Sequence, residues 1–201
     1  MKRNAPQVFN LPARRYGPNE SAEVGCYEPG DFILTHRRDL VSELIRVGQR
    51  MRFRGSNRKY AYWSHAAVIV SAQGHLVEAE GRGVIRSTLE KYRAVEYTLV
   101  SLGPTLASPH DREQVVAFAN WCVGQKYNYL TVAALALSLV LGVGAKLSIG
   151  YDGEAICSGL VARALERTSV IFDREAAHIM PADLARYFRV EPQPRSTVQP
   201  A

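Results

Sequence analysis

The sequence predicts an α+β domain in which an antiparallel sheet packs against a helix that carries a cysteine. Three observations predict it. Tyr62 to Val70 is the strongest strand pattern in the chain, apolar on both faces after His65, and the turn Ser71-Ala72-Gln73-Gly74 leads into a second strand from His75 to Glu80. Leu160, Val161, Ala164 and Leu165 recur at helical spacing after the turn-forming loop Gly150 to Glu154, and Cys157 lies one turn back on the same face. Ser108-Pro109-His110-Asp111 opens another helix, with Ser108 as N-cap, proline at the first helical position and an acidic residue to close a capping box.

The remaining elements follow in order. Residues 1–24, with Pro6, Pro12, Pro18 and scattered arginines, read as an arm, and 25–190 as one catalytic-sized domain. Glu28-Pro29-Gly30-Asp31 turns the chain into a short strand, Phe32-Ile33-Leu34. Thr35 is placed to cap a helix whose apolar face is Leu40, Val41, Leu44, Ile45 and Val47, with Gly48 as its stop. The arginine-rich stretch to Lys59 reads as an exposed loop. Short strands are expected at Val84-Ile85 and from Val95 to Leu102, with a helical turn from Thr88 to Tyr92 between them. The helix opened by Ser108 buries Val115, Phe118, Ala119 and Cys122 and ends at Gly124. A final helix runs from Pro181 to Phe188, and 191–201 is expected to be a disordered tail.

A length of 201 residues suffices for one core, and 47% hydrophobic with 22% charged residues is ordinary globular composition. The net charge of +6 is concentrated in Arg37, Arg38, Arg46, Arg50, Arg52, Arg54, Arg58 and Lys59, which suits either a solvated face or an anionic partner. Three dispersed cysteines do not make a disulfide framework, and Met1 to Gly17 lacks a signal-peptide core. A cytoplasmic location is therefore expected, with signal-independent export left open.

Cys157 reads in two ways. It is a small buried hydrophobe, or a nucleophile whose thiolate is stabilised by the free N–H groups and dipole at a helix start. A nucleophile needs a base, and His65 heads the central strand. The orienting group comes from strand parity. An even-numbered turn after Val70 puts Ala67 opposite Glu78 and His65 opposite Glu80, so both carboxylates share the His65 face; an odd turn would flip them away. Glu78, flanked by Val77 and Ala79, is the deeper candidate, and Glu80, beside Gly81, the edge alternative. His36, His65, His75, His110 and His178 show no metal-ligand spacing, and Gly81-Arg82-Gly83 and Gly142-Val143-Gly144 lack the rest of a nucleotide loop, so no metal or cofactor is expected. Phe53, Tyr60, Tyr62 and Trp63 accompany the arginines but belong partly to the strand, so no nucleic-acid partner is expected.

Cys157-Ser158-Gly159-Leu160-Val161 resembles the nucleophile motif of the NlpC-type papain-like hydrolases, and Ser64 to Val70 resembles their histidine strand. His65 precedes Cys157 by 92 residues, an order similar to that of the circularly permuted YiiX-like branch and, more distantly, of the lecithin–retinol acyltransferase group. Pro29 to Leu34, Leu76 to Ala79 and Gly124 to Tyr129 resemble further pieces of the YiiX-like pattern. The resemblance implies a circularly permuted papain-like fold, with a Cys157–His65–Glu78 triad and Tyr127 and Tyr151 beside the substrate. It implies acyl chemistry through a thioester but not which acyl group, and cleavage of an amide bond in a peptide or peptidoglycan-like substrate is the first expectation. Lipid acyl transfer or phospholipase activity with the same triad, and a non-catalytic binding module on the same fold, are the alternatives. The apolar run 132–145 is too short to span a hydrocarbon core of about 30 Å. It reads as a buried helix or as an apolar wall near the substrate entrance. In the second case, with the Arg37–Lys59 stretch, it makes the protein membrane-associating.

Overall fold

The computed structural model describes residues 12–81, 83–125 and 157–192. Among these, six antiparallel strands form one sheet: β1 (Ala13–Tyr16), β2 (Phe32–His36), β3 (His65–Ile69), β4 (His75–Glu80), β5 (Gly83–Thr88) and β6 (Glu96–Val100), in the order β1-β6-β2-β3-β4-β5. The helices are α1 (Leu40–Arg52), the short α2 (Gly103–Leu106), α3 (Pro109–Trp121), α4 (Cys157–Leu165) and α5 (Pro181–Tyr187). The fold is thus α+β with helices against an antiparallel sheet. No helix among the described residues is long and apolar enough to cross a membrane.

The alternation of strand side chains divides the core in two. Phe32, Leu34, Ala66, Val68, Val77, Ala79 and Val100 face a layer built from α3, α4 and α5. Ile33, Ala67, Ile69, Leu76, Tyr97 and Leu99 face the other way, beneath Ala22, Tyr27, Leu89 and Tyr92. β3 is central and its five residues are buried, as a run apolar on both faces requires. The turn after it holds four residues: Val70 N–H donates to the His75 carbonyl at 2.8 Å, and Val68 pairs with Val77 and Ile69 with Leu76. That is the even register on which the placement of Glu78 depended. α3 begins with the full Ser108–Asp111 capping box, and Cys122 at its end is buried.

Several expectations are corrected. The first 24 residues are not wholly an arm, because Ala13–Tyr16 pairs with β6 and closes that edge of the sheet, while Ala22 is in the second core cluster. Thr35 does not cap α1: β2 continues to His36, and Asp39 is the N-cap, accepting the Ser42 N–H at 2.9 Å. The helix passes Gly48 and ends at Arg52, after which Gly55–Tyr62 is a 3-10 helix and not an open loop. Phe53, Tyr60 and Trp63 are in the core, and the Trp63 indole donates to the Val190 carbonyl at 3.0 Å.

The largest correction concerns which face of α1 is buried. Ile45 is buried as expected, but Leu40, Val41, Leu44 and Val47 are exposed, and the inner face is Ser42, Arg46, Gly48 and Gln49. Specific polar bonds select this orientation. Gln49 donates to the Trp63 carbonyl at 2.7 Å and accepts the Ala182 N–H at 2.8 Å, satisfying one of the free donors at the start of α5. Arg52 pairs with the nearly buried Asp183 at 2.9 Å, and Arg46 bonds the Arg37 carbonyl and Glu43. A buried glutamine with both ends satisfied fixes a helix more strictly than a leucine stripe, which packs on any apolar surface. Tyr127, Tyr151 and the run 132–145 lie outside the described residues, as do 1–11 and 193–201.

Candidate active site

α4 begins at Cys157, so its thiol sits where the first turn has N–H groups to offer. The side chain is 2% exposed and accepts from the Ala66 and Ser158 backbone N–H groups. The helix is held close to the protein body by its next two residues. Ser158 Oγ–H donates to the Ile179 carbonyl at 2.6 Å. A Cβ on Gly159 would stand 3.0 Å from the Ala176 carbonyl oxygen, so the glycine is what lets this turn approach the Ala176–His178 segment.

His65 begins β3, beside α4. Its ring hydrogen-bonds the Cys157 thiol on one side, and its Nε2 lies 2.7 Å from Glu78 Oε2 on the other. Nε2 is committed to the carboxylate, which leaves Nδ1 as the nitrogen available to sulfur. Glu78 is fully buried on the second face of the sheet, diagonal to His65 across β3 and β4. Every partner of its carboxylate donates. Oε2 takes the Tyr92 hydroxyl along with His65, and Oε1 takes the Ser87 hydroxyl and Lys91 Nζ, the latter at 2.8 Å. Glu80 is outside this arrangement: it is half-buried and paired with Arg37 Nη1 at 2.5 Å and Lys91 Nζ at 2.7 Å.

The electrostatics follow from the contacts. Burial alone would raise Cys157, but the His65 charge and hydrogen bond and the two backbone N–H groups outweigh it, and the thiol titrates below its ordinary value. Burial alone would lower His65, but Cys157 and Glu78 together carry it up to about 9. Burial would likewise raise Glu78, yet His65, Lys91 and Ser87 hold it well below the usual carboxylate range. Burial and the adjacent Glu78 push Tyr92 well above the ordinary tyrosine value, so it remains a donor. The arrangement couples a thiol held below its ordinary pKa to an imidazole held above its own, with a carboxylate behind them.

A cleft of about 120 Å³ opens at this pair, lined by Arg37, Val41, Ile45, Ser64, His65 and Cys157 among others. One atom each of His65, Glu78 and Glu80 also lies within 4.8 Å of the others, close enough for a cation. Lys91 already bridges the two carboxylates and would repel one, so the donor set fits a hydrogen-bonded triad better than a metal.

The three residues proposed from sequence are therefore brought together, and Cys122 and Cys26 stand apart from them. Tyr92, Lys91, Ser87 and Arg37 escaped the sequence reading. Ser87 was within reach of it: parity carried one strand further places β5 residues 85 and 87 on the Glu78 side. Tyr92 and Lys91 come from a 3-10 turn, where no strand parity applies. No family model matches this chain, and no curated protein matches it.

Proposed function

We propose that the protein is a cysteine-nucleophile hydrolase with a circularly permuted papain-like, NlpC-type fold, YiiX-like in its chain order, which cleaves an amide bond. The single observation that supports this most is the continuous hydrogen-bonded line from the Cys157 thiol through His65 to Glu78. In this reading Cys157 Sγ attacks the substrate carbonyl carbon as a thiolate. The oxyanion forms in the N–H-rich space at the start of α4, helped by the Cys157 backbone N–H. The carbon–nitrogen bond breaks as His65 Nδ1 gives its proton to the leaving amine, leaving a thioester on Cys157 and a neutral imidazole. Water then loses a proton to Nδ1 and attacks the thioester carbonyl, and Cys157 departs as the thiolate beside the restored imidazolium. Glu78 stays ionised throughout and fixes the tautomer that turns Nδ1 toward sulfur.

Transfer of the acyl group from a lipid, or phospholipase cleavage, uses the same residues. The exposed apolar face of α1, whose Val41 lines the cleft, favours it as the second reading. Incubation of the protein with a cell extract, followed by intact-mass analysis, tests both. An acyl adduct on wild type that is absent from Cys157→Ala supports the mechanism, and its mass distinguishes a peptide-like from a fatty acyl group. A peptide-resolved adduct on Cys26 or Cys122 in its place refutes the assignment.

A further inference from the structure

α1 is built inside out, and the exposed side has an order of its own. Leu40, Leu44, Val47 and Met51 follow one another at spacings of four, three and four, which aligns them in one stripe about 16 Å long. They are 83%, 54%, 38% and 41% exposed, and Val41 beside them is 36% exposed. Five of the nine exposed large hydrophobic side chains among the described residues thus lie on this one helix. The polar inner face bonds Trp63, the Arg37 carbonyl and α5, so the helix cannot roll to hide the stripe without breaking those bonds. Scattered exposed apolar residues are ordinary; a continuous stripe on a helix docked by its polar side marks an interaction surface.

The surroundings indicate the partner. Residues 37–59 hold eight basic and two acidic residues. Both acids are engaged locally, Asp39 by Arg37 and by capping α1, and Glu43 by Arg46 and Arg50. Arg38 just before the helix, Arg50 beside the stripe, and Arg54 and Arg58 just after it are exposed. An apolar stripe within a basic rim is the pattern of a helix lying in the interfacial plane of an anionic bilayer. At 13 residues α1 spans about 20 Å and suits lying on a bilayer, not crossing it. Toward the protein the stripe continues through Val41 and Ile45 into the wall of the Cys157 cleft.

We propose that α1 is a docking surface for an anionic bilayer, which it brings against the mouth of the Cys157 cleft. What the bilayer presents to that cleft rests on the reading of Cys157 given above; the docking itself does not. The test is flotation with phosphatidylcholine vesicles, with and without phosphatidylserine, at low and high salt. Wild type should float with phosphatidylserine vesicles at low salt and less at high salt. Leu44→Ser/Val47→Ser, with unchanged circular dichroism, should reduce the bound fraction roughly tenfold or more. Arg50→Glu/Arg54→Glu should abolish the preference for phosphatidylserine. Folded wild type that does not float at low salt overturns the proposal, as does a stripe variant that floats like wild type. A dimer seen by light scattering and dissolved by the stripe variant also overturns it, because a second copy then covers the face. Cys157→Ala should float as wild type does, so a failure of the catalytic reading stays separate from a failure of docking.

Discussion

Replacing Glu78 by glutamine tests the site most sharply, because the volume is kept and only the acceptor pattern changes. The native carboxylate receives four donors, from His65, Tyr92, Ser87 and Lys91. A glutamine offers one acceptor oxygen and one donating amide, so one pair of donors must face another donor. If the amide faces His65, the imidazole can bond it only by presenting a bare Nε2, which moves the ring proton to Nδ1. A protonated, neutral Nδ1–H cannot take the thiol proton, and the ion pair with Cys157 is lost. If the amide faces Lys91, the imidazolium keeps one hydrogen bond but loses its counter-charge. Either arrangement raises the Cys157 pKa, and each unit of that rise removes about 1.4 kcal/mol of thiolate stabilisation and tenfold of thiolate at neutral pH. Turnover should fall by roughly 10²–10⁴-fold, the range that a mis-set tautomer and lost acid–base function cost. The measurement needs no substrate: peptide-resolved alkylation by iodoacetamide against pH gives the Cys157 titration directly. A midpoint unmoved by Glu78→Gln refutes the claim that the carboxylate acts through His65 on sulfur.

Other outcomes follow from the same geometry. Glu80→Gln, which leaves the Glu78–His65 bond intact, should shift the Cys157 midpoint far less, and a reversed ranking of the two variants in the alkylation assay would refute the assignment of roles. The wild-type titration should show a thiolate below the ordinary cysteine value, and substrate turnover should decline as pH rises through about 9, where the imidazolium loses its proton. Because Glu78 is held below its ordinary value of 4.5, its contribution to stability is complete above that value and is lost as pH falls. Thermal melts should therefore weaken below pH 4.5 in wild type and less steeply in Glu78→Gln. Gly159→Ala pushes a methyl group to 3.0 Å from the Ala176 carbonyl and should cost about 1–3 kcal/mol in chemical denaturation; a neutral effect would show that α4 does not need that approach. Tyr92→Phe removes one donor from a charged acceptor and should cost about 1.5–3 kcal/mol, with a smaller shift of the Cys157 midpoint than Glu78→Gln.

What could be read from sequence was set by short-range rules. The Ser108–Asp111 box, the four-residue turn after Val70 and the resulting face of Glu78 all depend on residues near one another in the chain, and they stand as expected. The orientation of α1 depended on Gln49 finding Trp63 and Ala182, the latter 133 residues away. Helical periodicity correctly identified an amphipathic helix but assumed that its apolar side faces inward. The edge strand Ala13–Tyr16 was hidden for a similar reason. A four-residue strand with two arginines has no pattern of its own, and it becomes a strand only because β6 offers Tyr97 to Val100 as a partner.

The order of His65 and Cys157 along the chain has a consequence for synthesis. The six described strands lie between Ala13 and Val100, so His65 and Glu78 can be assembled on the nascent sheet before Cys157 exists. At a rate of about 5–20 residues per second, Cys157 follows Val100 by roughly 3–11 s. During that interval Phe32, Leu34, Ala66, Val68 and Val100 lack the cover that α4 gives the sheet. Cys157 thus meets His65 only in the step that seals the core, and a ribosome-bound chain short of that step carries a sticky sheet with no sulfur beside His65.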